Sequence, residues 1–333
     1  MTAATVPGST ARVPLSPPVH RKSKVGFGDL FAVTARQHRV AIGATVLLYV
    51  LFGLVVVFTK GRATIGDWAF DPKDFTAALA GVVAVFWGAP LLATEYEQQT
   101  HLLAWSQDVS AMRWLVAKLT LLGGIVVVLS GVLSLVVNTQ AAAEYSRSPS
   151  PYSPLAVFGS VGYEAWLPLS LAYAVSGFLF GVAVGALCRR TVTAMGITLA
   201  GFAVIRFVVA FELRPWLLVH LIAPVRQIWP MSSYGRPDPS LPAGPGPKDY
   251  QFDLQLWLTS SGKSVDVPQA CYNASDKAFV NCMTSHGVVA SGTDYQPFSR
   301  LVIFQSFEMG IFVVLAAVCL GVAVWSVRRQ RRI

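Results

Sequence analysis

Residues Thr94–Lys118 read TEYEQQTHLLAWSQDVSAMRWLVAK. They lie between two long apolar runs, Thr76–Ala93 and Leu115–Val137. Glu95, Glu97, Gln98, Gln99 and Thr100 are too polar for lipid. Leu102, Trp105, Val109 and Met112 recur at spacings of three and four, which predicts a short helix with one apolar face. Asp108 or Ser110 can cap the helix that follows, which enters the membrane through Trp114 and Leu115. The stretch therefore reads as a cytoplasmic elbow joining two membrane helices, shaped to be held by another protein.

Working outward, apolar runs of roughly 20 residues recur along the 333-residue chain and mark a polytopic membrane protein. Only 13% of residues are charged, against about 25% in an ordinary soluble domain. The net charge of +9 points to membrane orientation rather than nucleic acid, because the basic residues flank the apolar runs. The expected spans are 40–59, 76–93, 115–137, 167–187, 192–211 and 301–327. Leu217–Ala223 is too short to cross and reads as interfacial after Glu212, Arg214 and Pro215 end the fifth span. The fold class is thus all-α, with six transmembrane helices.

Outside the spans, residues 1–24 are proline-rich and polar, as expected of a disordered tail. Residues 25–39 place Phe27, Leu30, Phe31 and Thr34 on one face, with basic residues at the far end. They read either as an amphipathic helix on the membrane surface or as a plain juxtamembrane segment. Residues 25–223 then form the first five spans with the elbow at 94–118, and 301–333 form the sixth span and a basic tail. Between them, 224–300 is a long polar region. In it Gln251–Leu258 alternates apolar and polar residues, Ser261-Gly262 supplies a turn, and Ser264–Val267 can pair back as a small β-hairpin.

Charge sets the expected orientation. With both termini in the cytoplasm, the basic cluster before the first span, Arg113 and Lys118, the Arg189-Arg190 turn and the terminal arginines all fall inside. The 224–300 region is then external. There Cys271 and Cys282 either bridge or remain two free thiols.

Catalytic and nucleotide motifs are not found. Ser261-Gly262-Lys263-Ser264 resembles the tail of a phosphate-binding loop, but Trp257 stands where the first glycine is required. The five histidines are scattered, with no neighbouring ligand at metal spacing. The polar residues within or beside the spans are Arg206, Glu212 and Glu308. They read either as a pair tying the fifth and sixth spans together, Arg206 with Glu308, or as a polar patch on a substrate path.

Three stretches carry a family resemblance. Glu95-Tyr-Glu-Gln-Gln-Thr-His-Leu-Leu-Ala-Trp-Ser-Gln-Asp-Val-Ser, with Arg113 and Lys118 after it, is the first. Arg189-Arg190-Thr191 through Arg206 and Leu213-Arg214-Pro215 is the second. Tyr295-Gln-Pro-Phe-Ser-Arg300, Gln305, Glu308 and the arginine tail make the third. Together they resemble permease subunits of type-2 ATP-binding-cassette exporters, in particular an actinobacterial branch. The chain departs from that pattern at Gln99, where glycine is common, and at Phe298, where a smaller residue is usual.

The resemblance implies a six-helix permease half that pairs with a second half in a homo- or heterodimer. It also implies a separate cytoplasmic ATPase docked on the elbow through Glu95, Glu97, Thr100, Trp105 and Arg113. The chain itself would bind no cofactor, with ATP and magnesium carried by that partner. A secondary transporter using the intramembrane charges and a non-transporting scaffold or immunity protein are the rival readings.

Overall fold

The structure is a computed structural model. It describes residues 26–58, 63–65, 68–70, 76–99, 110–147, 158, 163–234, 245–246, 248–272, 274 and 276–330. Among these residues six helices are long and apolar enough to cross a membrane. The chain is a helical membrane bundle with a small antiparallel sheet inserted before the last helix.

Helix α1 (Phe27–Gln37) starts the described chain, so the segment before the first span is helical. Thr34 is its buried residue, and its hydroxyl donates to the Leu30 carbonyl at 2.8 Å. The first span, α2 (Arg39–Phe58), is mostly exposed along its length, as befits a helix that faces lipid. A two-stranded ribbon follows, with β1 (Ala63–Ile65) antiparallel to β2 (Trp68–Phe70).

The second span is built in three pieces: α3 (Thr76–Val83), a π-helical turn (Ala84–Gly88) and α4 (Ala89–Glu97). The turn ends two residues before Pro90. Proline lacks an N–H and clashes with the carbonyl four residues back, and a wider turn relieves both conflicts. The span also runs further than the apolar run, carrying Thr94–Glu97 within the helix.

Helix α5 (Ala111–Arg147) is much longer than the expected third span. Its 37 residues extend about 55 Å, well beyond a hydrocarbon core of about 30 Å. The Thr139–Ala143 stretch, rich in the strong helix former alanine, continues the helix past the membrane instead of beginning a loop. The fourth span, α6 (Leu167–Cys188), is the most enclosed of the six together with the second.

The fifth span corrects the expected boundary. Helix α7 (Thr191–Phe207) leads through a second π turn (Val208–Leu213) into α8 (Arg214–His220), so one helix runs from Thr191 to His220. Arg214-Pro215 does not end it. The π turn absorbs Pro215 as the first one absorbs Pro90, and Leu217 and Leu218 are buried within the continuing helix.

Beyond it lies the sheet, in the order β3 (Val225–Pro230), β6 (Val288–Gln296), β4 (Tyr250–Thr259), β5 (Ser264–Val265). The expected hairpin is present, pairing Trp257 with Val265 and Leu258 with Ser264. Gly262 sits in its turn at φ 77°, a conformation that costs glycine nothing. Helix α9 (Asp276–Ser285) covers the sheet, and Cys271 and Cys282 are bridged, tying it to the preceding loop. Met231, Trp257, Met283 and Val288 form the small core beneath. Helix α10 (Leu301–Gln330) is the sixth span.

A glycine seam sets how closely the two enclosed spans approach. Gly177, Gly181 and Gly185 recur every four residues on one face of α6. A Cβ at Gly181 would overlap the Ala84 carbonyl, and one at Gly185 the Ala89 carbonyl. Reciprocally, a Cβ at Gly88 would overlap the Phe178 carbonyl. Within lipid there is no hydrophobic drive between helices, so backbone-to-backbone packing of this kind supplies the association.

Candidate functional site

Chain parity places two buried polar clusters at opposite ends of the bundle. The elbow end holds the close of the second span and the start of the third and fifth. The sheet end holds the start of the fourth and sixth and the close of the fifth.

At the elbow end, Glu95 and Lys118 are both buried and form an ion pair across the base of the elbow. Gln37 of α1 joins them. Its amide nitrogen donates to Glu95 Oε1 at 3.0 Å, and its oxygen accepts from Lys118 Nζ at 3.4 Å. The surface helix is thereby fastened to the two spans that flank the elbow. His38, beside this group, is held below the usual imidazole range, first by burial and then by the Lys118 charge, with Glu95 opposing. Higher up, Trp87 Nε1 donates to Thr45 Oγ1 at 2.6 Å, joining the second span to the first.

Glu97 is exposed and points at the neighbouring turn. Its Oε2 accepts from the backbone N–H of Thr191 at 2.9 Å and from the Thr191 hydroxyl at 2.7 Å. Thr94 Oγ1 and Thr191 Oγ1 lie 3.2 Å apart. A carboxylate at the C-terminal end of its own helix faces an unfavourable dipole. Here it caps the positive N-terminal end of α7 instead. The elbow's first helix and the tight turn between the fourth and fifth spans are thus latched together. Ser110 is the observed cap of α5, accepting from the Arg113 N–H at 3.3 Å. The Arg113 guanidinium lies 5.2 Å from the Phe27 ring centroid.

The sheet end is a four-charge network. Arg214 donates to both oxygens of Glu308 at 3.1 Å and to Glu164 at 2.8 Å. Arg206 reaches Glu164 at 2.8 Å and lies 3.9 Å from Glu308. The Tyr173 hydroxyl donates to Glu308. The ring faces of Tyr173 and Tyr163 lie 3.9 and 4.4 Å from the Arg206 and Arg214 guanidinium carbons. Two positive and two negative charges balance, as a buried ionic group in a membrane requires. Tyr163 precedes the fourth span. Burial above all, and the Glu308 carboxylate after it, push its phenol well above the usual range, against the pull of Arg214.

The π turn explains how one network can use both arginines. Positions eight apart on an unbroken α-helix lie about 80° apart around the axis, and one residue absorbed by a π turn reduces this to about 20°. Arg206 and Arg214 flank that turn and so face the same carboxylates. Around them, backbone carbonyls left open at helix ends are closed by side chains. Gln296 donates to Leu218 and Ile222, Arg300 to Ala223, Gln305 to Tyr163, and Ser134 to Ala165. A cavity of about 20 Å³ lies beside the network, between Glu164, Tyr173, Ser130 and Tyr49.

Of the residues singled out from sequence, Arg206 and Glu308 meet in this network, but Glu164 is the closer partner of Arg206 and Arg214 the main partner of Glu308. Glu212 is exposed, outside the network. Glu95 is turned inward to Lys118, while Glu97 and Arg113 are exposed. Thr100 and Trp105 lie outside the described residues, as does the short helix expected at the elbow. Sequence reading missed Glu164, just ahead of the fourth span, and Arg214, taken for a helix stop. An arginine eight residues before another, with proline following the second, was the available signal.

Against known proteins, residues 58–214, slightly less than half of the chain, match a family model described as ABC-2 membrane transporter related. No curated protein and no solved structure gives a match. The matched segment runs from the end of the first span through the elbow to Arg214, and so includes Glu95, Lys118, Glu164 and Arg206. It supports an ABC-2-type permease family for this chain.

Proposed function

We propose that this chain is the membrane-spanning permease subunit of an ATP-binding-cassette exporter. A separate cytoplasmic ATPase docks on the 94–118 elbow, supplies ATP and magnesium, and drives export of a substrate across the cytoplasmic membrane. Two permease halves assemble around the path, and both termini face the cytoplasm. The observation that carries this reading is the family match across the elbow together with the way the elbow is rooted. Both of its ends enter one buried group, Glu95 with Lys118, and its first helix is latched through Glu97 to the next turn on the same face. A push on the elbow would therefore reach α1, the second and third spans, and the start of the fifth. Glu97, Thr100, Trp105 and Arg113 are the proposed contact positions, with Trp105 providing burial and the charged residues steering approach. Glu95 serves instead as the fixed root beneath them.

For transport, the ATPase must bind two elbow positions with unequal affinity, since a ligand shifts only an equilibrium whose states it distinguishes. The intramembrane charges are mutually paired, which favours a structural brace over an ion relay of the kind a secondary transporter needs.

The test is co-purification with a soluble ATP-binding-cassette ATPase, sought first in the reading frames adjacent to this chain's. Binding is expected for the native protein and lost in Trp105→Ala. Binding retained in that variant, or no ATPase recovered with the native protein, would overturn the elbow assignment.

A further inference from the structure

The exposed basic residues at the elbow end include two pairs that the docking scheme does not use. Arg189 and Arg190 follow the last turn of α6, and Arg328 and Arg329 occupy the last turn of α10; all four are exposed. The fourth and sixth spans run parallel, so both helices end on the same face. Their ends are joined where the Ser326 hydroxyl donates to the Ala186 carbonyl at 3.1 Å. Each arginine pair begins within one turn of that contact.

Among the described residues, none of the four makes an ion pair or side-chain hydrogen bond within the chain. Arg190 sits within the electrostatic reach of Glu97, and Arg329 lies 5.3 Å from the Trp325 ring centroid. Within one turn of that contact, Leu187 and Trp325 present exposed apolar surface beside the arginines. Four positive charges capping an apolar surface on membrane helices complement one kind of partner: a phosphate group carried on acyl chains.

We propose that these paired arginines form a binding site for the headgroup of an anionic phospholipid, whose chains lie against Leu187 and Trp325. Arginine suits the role, because its planar fork of donors matches a phosphate in two-point contact. Trp325 adds an interfacial ring that holds Arg329 over the headgroup region. A lipid held there would brace the ends of the fourth and sixth spans beside the turn that Glu97 caps.

The experiment uses the full chain, purified in a neutral detergent, with thermal unfolding followed as lipid is added. Phosphatidylglycerol is expected to raise the midpoint. Phosphatidylcholine with the same acyl chains, and inorganic phosphate alone, are expected to leave it unchanged. R328Q/R329Q should weaken the apparent phosphatidylglycerol affinity by roughly tenfold or more. The charge-matched control R36Q/R39Q, on the same membrane face, should retain the native affinity. Equal losses in the two doubles would mean diffuse surface attraction and overturn the site, as would an equal response to phosphatidylcholine or to phosphate alone. Should R328Q/R329Q fail to fold, R189Q/R190Q and Trp325→Ala carry the same expectation, read also as phosphatidylglycerol retained through purification by native mass spectrometry.

Discussion

The two ends of the bundle handle buried charge differently. At the sheet end, two arginines, two glutamates and a tyrosine interlock, and they come from the start of the fourth span, the fifth and the sixth. Each carboxylate has more than one donor. At the elbow end, one glutamate meets one lysine, with a glutamine completing the group, and both charges belong to spans joined by the elbow itself. The second contact there, from Glu97 to Thr191, is exposed to solvent. A multiply bonded network welds helices that are distant in sequence. A single pair with an exposed latch holds elements that can be levered apart. The contrast fits the proposed roles, a brace at the sheet end and a handle at the elbow end.

Breaking the brace should have the largest effect. Glu308→Ala leaves two buried arginines short of an anion, and a loss of about 3–5 kcal/mol is expected, read from thermal unfolding of the purified protein. Unchanged stability with abolished transport would instead make the network part of a substrate path. Lys118→Met strands only one charge, Glu95, and should cost less, about 3 kcal/mol. A loss larger than that of Glu308→Ala would reverse the comparison. Gly181→Val forces the second and fourth spans apart and should cost about 1–3 kcal/mol, in the same assay. Glu97→Ala should act locally, with faster amide exchange at the start of α7 and little change in global unfolding.

An effect of opposite sign is expected at Gln99. This residue adopts φ 55° just past the end of α4, a left-handed position that favours glycine. Gln99→Gly should stabilise the chain by about 1 kcal/mol. The departure from the family pattern noted at this position therefore falls where the backbone most wants the missing glycine.

Long apolar runs made the six spans readable, because the bilayer sets their length. The hairpin was readable because its strand alternates and its turn carries glycine. The fifth span was cut short because Arg214-Pro215 looks like a stop, and only a π turn, invisible to hydropathy, lets the helix continue. The third was cut short because a helix leaving the membrane turns polar without ending. Strands β3 and β6 escaped because their apolar residues do not alternate cleanly, and β6 was recognisable only once paired on both sides. In the site, Arg206 and Glu308 stood out as charges within apolar runs. Glu164 did not, since its burial depends on packing against other spans. The seam of Gly177, Gly181 and Gly185 was not singled out from the sequence, because only the structure shows which backbone it meets.

The proposed handle must face the compartment that holds the ATPase. The most direct measurement places a single thiol at Ser106→Cys in a chain whose free Cys188 and Cys319 are replaced by serine, and labels it with a membrane-impermeant reagent. Protection in intact cells with labelling in inside-out vesicles is the predicted result. Labelling in intact cells would put the elbow on the outer face and contradict the mechanism.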